Sequence, residues 1–308
     1  GLAGALAGHL TRGCMSGTGN FKGYGTYIGA DGFIRVLGAV LCLVVGVSVA
    51  GPFGIAVGIA GLLAVPVALR VQKPELEEGP EAALSEVGSA LILLLVASLC
   101  AFAIMNIGPV LVKLLADDSQ SAAAGRFVNG VVIARIPLFL FQAVQASLLP
   151  KLASLAGAGR HDDFRAGLKR LLAVVVAIGL VATITAWAIG HEVVGLLFGA
   201  GFELSRTDLA YLAAASAAYM LALALAQALI ALSAYARVVI GWASGIVVFT
   251  IVTATQSGLL TRVERGFLAG ATASAAVMGL LLATRMAKGI VASADTLADA
   301  AFDVPIEP

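Results

Sequence analysis

One stretch decides how this chain folds: Arg126–Lys151, with the sequence RFVNGVVIARIPLFLFQAVQASLLPK. It is long enough to cross a lipid bilayer, yet Arg135 follows Arg126 by nine residues. At ~1.5 Å per helical residue, the guanidinium lies roughly 13 Å into the segment, near the middle of a hydrocarbon core about 30 Å thick. An arginine that faces lipid at that depth costs from about 2.5 to more than 10 kcal/mol. We therefore expect Arg135 to face protein or water that the other spans enclose.

The composition of the whole chain is that of a membrane protein. Of the 308 residues, 60% are hydrophobic and 12% are charged, whereas a soluble domain carries about 25% charged residues. Long uncharged runs, in a chain whose charged fraction is half that of a soluble domain, predict an all-α polytopic membrane protein. The formal net charge of +1 gives no reason to expect a nucleic acid as a partner.

The uncharged runs predict eight complete transmembrane helices after a stub. Residues 1–10 are apolar and have no charged region before them, so we expect the end of a helix that begins before residue 1. Residues 11–22 are expected to form a Gly-rich turn. The complete spans are expected at about residues 21–50, 53–69, 87–115, 127–149, 171–190, 209–233, 238–255 and 266–284.

A hydrophilic segment at residues 71–86 divides the chain, since it holds two prolines and five glutamates. This composition predicts a solvated connector between two lobes. The expected parts are the C-terminal portion of a first lobe at 1–70, a cytoplasmic inter-lobe linker at 71–86, a second lobe of six spans at 87–288, and a cytoplasmic tail at 289–308.

The basic segment 151–170 predicts the orientation in the membrane. Within it, Phe164, Leu168 and Leu171 have the spacing of a short interfacial helix. If this segment is cytoplasmic, as the positive-inside rule requires, the alternation of spans places most other basic residues on the same side. These residues are Arg12, Lys22, Arg70, Lys73, Arg237, Arg285 and Lys288. The C-terminus is then cytoplasmic, and the outer loop 256–265, with its two arginines, is the exception.

Enzyme chemistry has no support in the sequence, which lacks a P-loop, a GxSxG motif and an HExxH motif. The histidines, His9, His161 and His191, are isolated, and a solvated face is the favoured interpretation of His161 over a metal site. The cysteines, Cys14, Cys42 and Cys100, lie far apart and are expected to be apolar fillers. We expect no catalytic residue, no metal and no cofactor.

The polar residues of the central stretch share one helical face. Gln142 lies about 20° and Gln145 about 80° from Arg135 around a helix. Pro137 removes a backbone donor close to the arginine, which loosens the helix and frees carbonyl groups at that depth. Asn129 lies nearer the outer end and points elsewhere.

Two interpretations of Arg135 remain open. In the first, it bonds structurally to a facing helix, through Asn106 or Gln227. In the second, it lines a central aqueous cavity and receives an anion, for which its planar fork is suited because it binds two phosphate oxygens at once. On the second hypothesis Arg135, Gln142 and Gln145 contact the substrate, and the further candidates are Asn106, Arg126 and Asn129.

Three other features have structural interpretations. Asp31 and Arg35 are spaced i, i+4 and are expected to form a structural or gating pair rather than to contact substrate. Arg126, near the outer face, is most simply a snorkelling residue. Asn106 precedes Gly108 and Pro109, which are expected to break their span locally.

Several of these residues resemble a known family, the bacterial polysaccharide-type flippases of the multidrug/oligosaccharidyl-lipid/polysaccharide exporter superfamily. The N-terminal part of the resemblance is Arg12-Gly13-Cys14-Met15-Ser16-Gly17, Phe21, Tyr24 and Asp31-Gly32-Phe33-Ile34-Arg35. The second part is Gly125-Arg126-Phe127, Arg135-Ile136-Pro137 and Leu148-Leu149-Pro150-Lys151, which is similar to the eighth helix and its exit loop.

The resemblance implies a MATE-like, two-lobe transporter of twelve helices that works by alternating access. The stub would be the fourth helix, and the complete spans the fifth to the twelfth. Such proteins often have a cationic central cavity for the pyrophosphate of a polyprenyl-linked sugar, and Arg135 matches a cavity arginine. The family implies a place in the bacterial plasma (inner) membrane.

The function expected from this resemblance is the flipping of a polyprenyl-diphosphate-linked oligosaccharide, for a cell-envelope polysaccharide such as O-antigen. The expected partners are that lipid-linked substrate and the bilayer, with a polysaccharide polymerase and glycosyltransferases as further candidates. The alternatives are a lipid II flippase, a cation-coupled multidrug exporter of the same superfamily, and a non-transporting scaffold of a polysaccharide assembly complex. The exporter would need an intramembrane carboxylate, and the expected spans offer none deeper than Asp31.

Overall fold

The structure, a computed structural model, describes residues 2–47, 49–73, 84–199, 201 and 204–287. These residues form ten α-helices and one 3-10 turn at Asp118–Gln120. The helices are α1 Leu2–Gly17, α2 Phe21–Val44, α3 Ala50–Val71, α4 Leu84–Leu115, α5 Ser121–Ala134, α6 Ile136–Gly157, α7 His161–Phe198, α8 Arg206–Ala231, α9 Tyr235–Thr255 and α10 Leu259–Ala287. The expected all-α class is thus confirmed for the described residues.

Seven of the described helices are long and apolar enough to cross a membrane, namely α2, α3, α4, α7, α8, α9 and α10. The chain is therefore a multi-pass membrane protein. The span expected at 127–149 is divided between two helices, because α5 ends at Ala134, α6 begins at Ile136 and Arg135 lies between them.

Two predicted loops are shorter than expected. The turn predicted at 11–22 is confined to Thr18–Asn20, since α1 continues to Gly17 and α2 begins at Phe21. The outer loop predicted at 256–265 is largely helical, because α10 begins at Leu259. Residues 74–83, which are most of the predicted linker 71–86, and all of the tail 289–308 lie outside the described residues, so the assignments made for them stay predictions.

The chain divides into two compact units, residues 1–81 and 82–308. In the first unit, α3 packs against α1 and α2 around a small core of Met15, Tyr27, Ala64 and Ala68. Tyr27 lies on α2, and its hydroxyl donates to the carbonyl of Gly61 on α3 at 3.2 Å. At the start of α2, the Asn20 side chain accepts from the Gly23 N–H at 2.8 Å, which satisfies one of the helix's free N-terminal donors.

The second unit, α4 to α10, is built around α8, which has the largest share of buried residues among the seven membrane-length helices. Helices α5, α6, α7, α9 and α10 all pack against it. An aromatic cluster marks the middle of the core, where the ring centre of Tyr219 lies 5.2 Å from that of Trp242 and 6.5 Å from that of Phe267. These residues come from α8, α9 and α10, so the cluster ties the three helices together.

Glycines allow α9 and α10 to approach closely. A Cβ atom placed on Gly245 of α9 would lie 2.7 Å from the carbonyl oxygen of Gly270 on α10, and one placed on Gly270 would lie 2.8 Å from the carbonyl oxygen of Gly245. Contacts between small residues of this kind are a common way for membrane helices to pack without a hydrophobic driving force.

The amphipathic stripe in the basic segment has a different role from the expected one. Phe164 and Leu168 lie at the beginning of the 38-residue helix α7 and are buried in the core of the second unit. Leu171 is half-buried and packs against the same core. The stripe therefore faces protein, and it does not form a separate interfacial helix.

Candidate functional site

Arg135 lies at the break between α5, which ends at Ala134, and α6, which begins at Ile136. Pro137 occupies the first turn of α6 and has no N–H to continue the hydrogen-bond ladder from α5. On either side of the break the ladder is intact: the Arg135 N–H bonds to the Val131 carbonyl at 3.2 Å, and the Arg135 carbonyl accepts from the Phe139 N–H at 3.2 Å. The division between α5 and α6 therefore leaves the backbone N–H and C=O of Arg135 paired.

The Arg135 guanidinium reaches α4 and bonds there to two adjacent residues. Its Nη1 donates to Oδ1 of Asn106 at 3.4 Å, and its Nη2 donates to the carbonyl oxygen of Met105. Met105 lies four residues before Pro109, so its carbonyl is the one that loses its helical N–H partner to that proline. Arg135 supplies the missing donor, and α4 continues as one helix through Pro109, although a local break was expected.

Asn106 is oriented for this contact by its own helix. Its Nδ2 donates to the Phe102 carbonyl at 3.0 Å, and this bond turns the Oδ1 atom towards the guanidinium. Asn106 was predicted from the sequence in two roles, as a structural partner of Arg135 and as a candidate cavity residue. The structure brings the two side chains together.

The surroundings of Arg135 leave its positive charge uncompensated. The side chain is half-buried, both acceptors are neutral, and Nε has no partner among the described residues. Tyr219 of α8 is 5% exposed and donates its hydroxyl to the Ala101 carbonyl of α4 at 3.1 Å, so it is engaged with the same helix. A half-buried guanidinium whose charge is not compensated can still attract an anion through its Nη groups.

Two other residues predicted for this site, Arg126 and Asn129, lie on other sides of α5 from Arg135. Arg126 and Asn129 are half-buried on α5 and lie roughly 180° and 120° around the helix from Arg135. Gln142 and Gln145 belong to α6, but their side chains lie outside the described residues. Their shared stripe with Arg135 stays a prediction.

Gln227, the alternative structural partner of Arg135, has a different environment. It is half-buried on α8, and its Oε1 has no hydrogen-bond partner among the described residues. Arg135 therefore uses Asn106, rather than Gln227, to contact a facing helix.

The predicted pair on α2 forms in the first unit. Nε of Arg35 lies 3.0 Å from Oδ2 of Asp31, and the two side chains are 44% and 21% exposed. The second carboxylate oxygen of Asp31 is buried without a partner among the described residues. The gating role stays a prediction.

Sequence reasoning missed three groups that the structure places at or near polar sites. The Met105 carbonyl could have been found, because any proline inside a helix frees the carbonyl four residues before it. Tyr219 gave no signal, since a tyrosine in an apolar helix is ordinarily part of a core. Glu264 was missed because the last span was expected to begin at residue 266, whereas α10 begins five residues before Glu264.

The membrane-length helices and the uncompensated cation at a helix break define a polytopic α-helical membrane protein with a charged group held among its spans. More specifically, the chain belongs to the lipid II flippase MurJ family, whose family model matches residues 32–297. This family consists of transporters rather than enzymes, and it implies the fold of the multidrug/oligosaccharidyl-lipid/polysaccharide exporter superfamily. The resemblance is thus confirmed for the superfamily, but the family found is that of the lipid II flippases rather than the polysaccharide-type branch.

The chain is also similar to mycobacterial proteins. Uncharacterized protein Rv1510 of Mycobacterium tuberculosis (strain H37Rv) is 26% identical over 288 residues, which cover 92% of this chain and 65% of the relative. Uncharacterized protein Mb3654 of Mycobacterium bovis is 26% identical over 275 residues, which cover 88% of this chain and 62% of the relative. The chain therefore spans slightly less than two thirds of the length of these relatives. No solved structure matches it significantly.

Proposed function

We propose that this chain is part of a flippase that moves a polyprenyl-diphosphate-linked cell-envelope precursor across the bacterial plasma membrane, with lipid II as the leading substrate. The observation that carries the proposal is the family match over residues 32–297. It favours lipid II over the polysaccharide precursor that the sequence motifs suggested.

Arg135 is the group that we propose for the diphosphate. Its two hydrogen bonds go to neutral acceptors, so its full charge remains available, and each Nη nitrogen keeps a second N–H for the substrate, whereas Nε is buried. A diphosphate offers several acceptor oxygens, and arginine binds two of them at once. In this proposal Asn106 and Met105 hold the guanidinium while the substrate takes the remaining donors.

The oligosaccharide expected from the sequence shares the diphosphate and the polyprenyl chain with lipid II. Recognition through Arg135 would therefore serve either substrate, and only contacts with the sugar would distinguish them. Gln142 and Gln145 stay the candidates for such contacts.

The test is a flipping assay with the full-length protein reconstituted in proteoliposomes that contain fluorescent lipid II. The expected result is flipping by the wild type and a fall of about tenfold or more in Arg135→Ala, because a hydrogen bond to a charged group contributes about 1.5–3 kcal/mol. Arg126→Ala is the matched control, since it removes the same charge from the opposite side of α5. Arg135→Lys keeps the charge without the planar fork and should give an intermediate rate.

Four results would contradict the proposal in different ways. Normal flipping by a folded Arg135→Ala variant would exclude the role of Arg135 but leave the family function in place. Flipping of a labelled oligosaccharide precursor without flipping of lipid II would replace the leading substrate. A folded wild type that flips neither lipid would favour the non-transporting scaffold, and drug export by the same vesicles would favour the multidrug exporter.

A further inference from the structure

A buried acidic pair connects the beginning of α8 with the beginning of α10. Glu264 of α10 is 0% exposed, and neither of its carboxyl oxygens has a hydrogen-bond partner among the described residues. The neighbouring side chain within hydrogen-bonding reach is Asp208, in the first turn of α8. Because carboxylates only accept hydrogen bonds, two ionised groups cannot bond to each other, whereas a pair that shares one proton can.

The packing around Glu264 is apolar. The adjacent residue Val263 is fully buried, and Leu209, which follows Asp208, is 1% exposed, and both belong to one hydrophobic cluster. A charge in such surroundings is unfavourable unless it is paired. Asp208 is only half-buried, so the pair has one member inside the protein and one that reaches its surface.

The cations near the pair are already engaged or lie elsewhere. The positive charge of Arg265 attracts Glu264 electrostatically. Its guanidinium, however, donates to Gln256 at 2.7 Å and lies 6.0 Å from the ring centre of Tyr211. Arg262 is half-buried, and it makes no hydrogen bond to Glu264 among the described contacts. The other ionisable residues on the described parts of α4, α5 and α9, which also pack against α10, include Lys113, Arg126, Tyr235 and Arg237. None of these four forms a hydrogen bond with the Glu264 carboxyl among the described residues.

We propose that Asp208 and Glu264 form a proton-binding site in which a single proton bridges the two carboxyl groups. With the proton bound, the O–H of one carboxyl donates to the carboxylate oxygen of the other, and the buried pair carries one negative charge. When the proton leaves through Asp208 to water, two ionised groups face each other and repel. Protonation therefore fastens the first turn of α8 to α10, and deprotonation loosens this contact.

The site is a natural place for a proton to control the conformation of the second unit, because α8 is its central helix and α10 one of its main partners. The use of this proton in transport rests on the proposed function. Proton binding by the pair does not.

The proton site is tested by pH-difference infrared spectroscopy on the full-length protein in lipid vesicles. The expected wild-type spectrum has a protonated carboxyl band that disappears as the pH rises. Glu264→Gln, which keeps the shape and the neutral state of the side chain, should remove the band, and Asp208→Asn should shift it. Glu192→Gln is the control, because Glu192 is exposed and paired with Arg206 at 2.6 Å, and it should retain the band.

Two spectroscopic outcomes would overturn the proposal. One is a band that persists in Glu264→Gln, and the other is a band that sodium ions remove at constant pH, which would assign the pair to a metal cation. A flipping assay at several pH values then separates the two proposals. In the flipping assay, Glu264→Gln should lose the pH dependence of the wild type, whereas Arg135→Ala should be slow at every pH. A titrating band in a protein that does not flip lipid would leave the proton site standing and contradict the proposed function.

Discussion

The Arg135 guanidinium donates to the carbonyl oxygen of Met105, the group that Pro109 deprives of its own helical donor. One residue of a broken helix thus repairs a defect in a neighbouring one. Inside a membrane no water competes for such a carbonyl, so the repair matters more than it would at a solvated surface. The same contact fixes the position of a positive charge among the spans.

This relationship predicts coupling between Arg135 and Pro109. Arg135→Ala should destabilise the protein by about 0.6–2 kcal/mol, the range of hydrogen bonds between membrane helices. In Pro109→Ala the new N–H can bond to Met105, so Arg135→Ala should then cost less. A double-mutant cycle of unfolding in SDS measures the difference, which we expect to be about 1 kcal/mol.

A second proline provides the control for this cycle. Pro66 lies inside α3 in the first unit, where Pro66→Ala also restores a backbone donor. Its effect should add to that of Arg135→Ala without coupling. If Arg135→Ala lowered the free energy of unfolding equally in the wild type and in Pro109→Ala, the bond to Met105 would contribute nothing to stability.

Asn106 gives a prediction about charge. Asn106→Asp would place a carboxylate against Nη1 of Arg135 and compensate the charge that the diphosphate is proposed to use. We expect normal folding with binding of a lipid diphosphate analogue reduced about tenfold or more, because the ligand must now displace an ion pair. Isothermal titration calorimetry on the protein in nanodiscs measures the affinity.

The variant Asn129→Asp makes the same chemical change on α5, about 120° around the helix from Arg135. It should alter the affinity much less than Asn106→Asp does. If the two variants weakened binding equally, a general loss of positive potential, rather than compensation of Arg135, would be the cause.

How much of this could be read from the sequence depends on which interaction decides each feature. The low charge and the long apolar runs were enough for the helical membrane class, because burial in lipid is a property of whole segments. The Arg135 contact was half-predicted: the depth of the charge required a partner, and Asn106 was one of two candidates. The division of the span at Arg135 was not predicted, because Pro137 was expected only to loosen the helix.

Glu264 shows where segment-level reasoning fails. Arg262, Glu264 and Arg265 look like a polar loop, and the span was therefore started after them. In the structure each side chain has its own environment: Glu264 is fully buried, whereas Arg265 is exposed. Charges spaced one or two residues apart on a helix point in different directions, so the average over a window hides the buried one.

The close packing of α9 on α10 leads to the last prediction. In Gly245→Ala the new methyl group would lie 2.7 Å from the Gly270 carbonyl oxygen, which is backbone and cannot rotate away. The helices must separate, and overpacking of this kind costs about 1–3 kcal/mol. The melting temperature of the purified protein should fall. Gly167→Ala on α7 is the matched control, because a Cβ there meets nothing within 4 Å. Alanine lowers the entropy of the unfolded chain, so the stability of this variant should be unchanged or higher by about 0.4–1 kcal/mol. If Gly245→Ala proved as stable as Gly167→Ala, α9 and α10 would not be held at the distance that the structure gives.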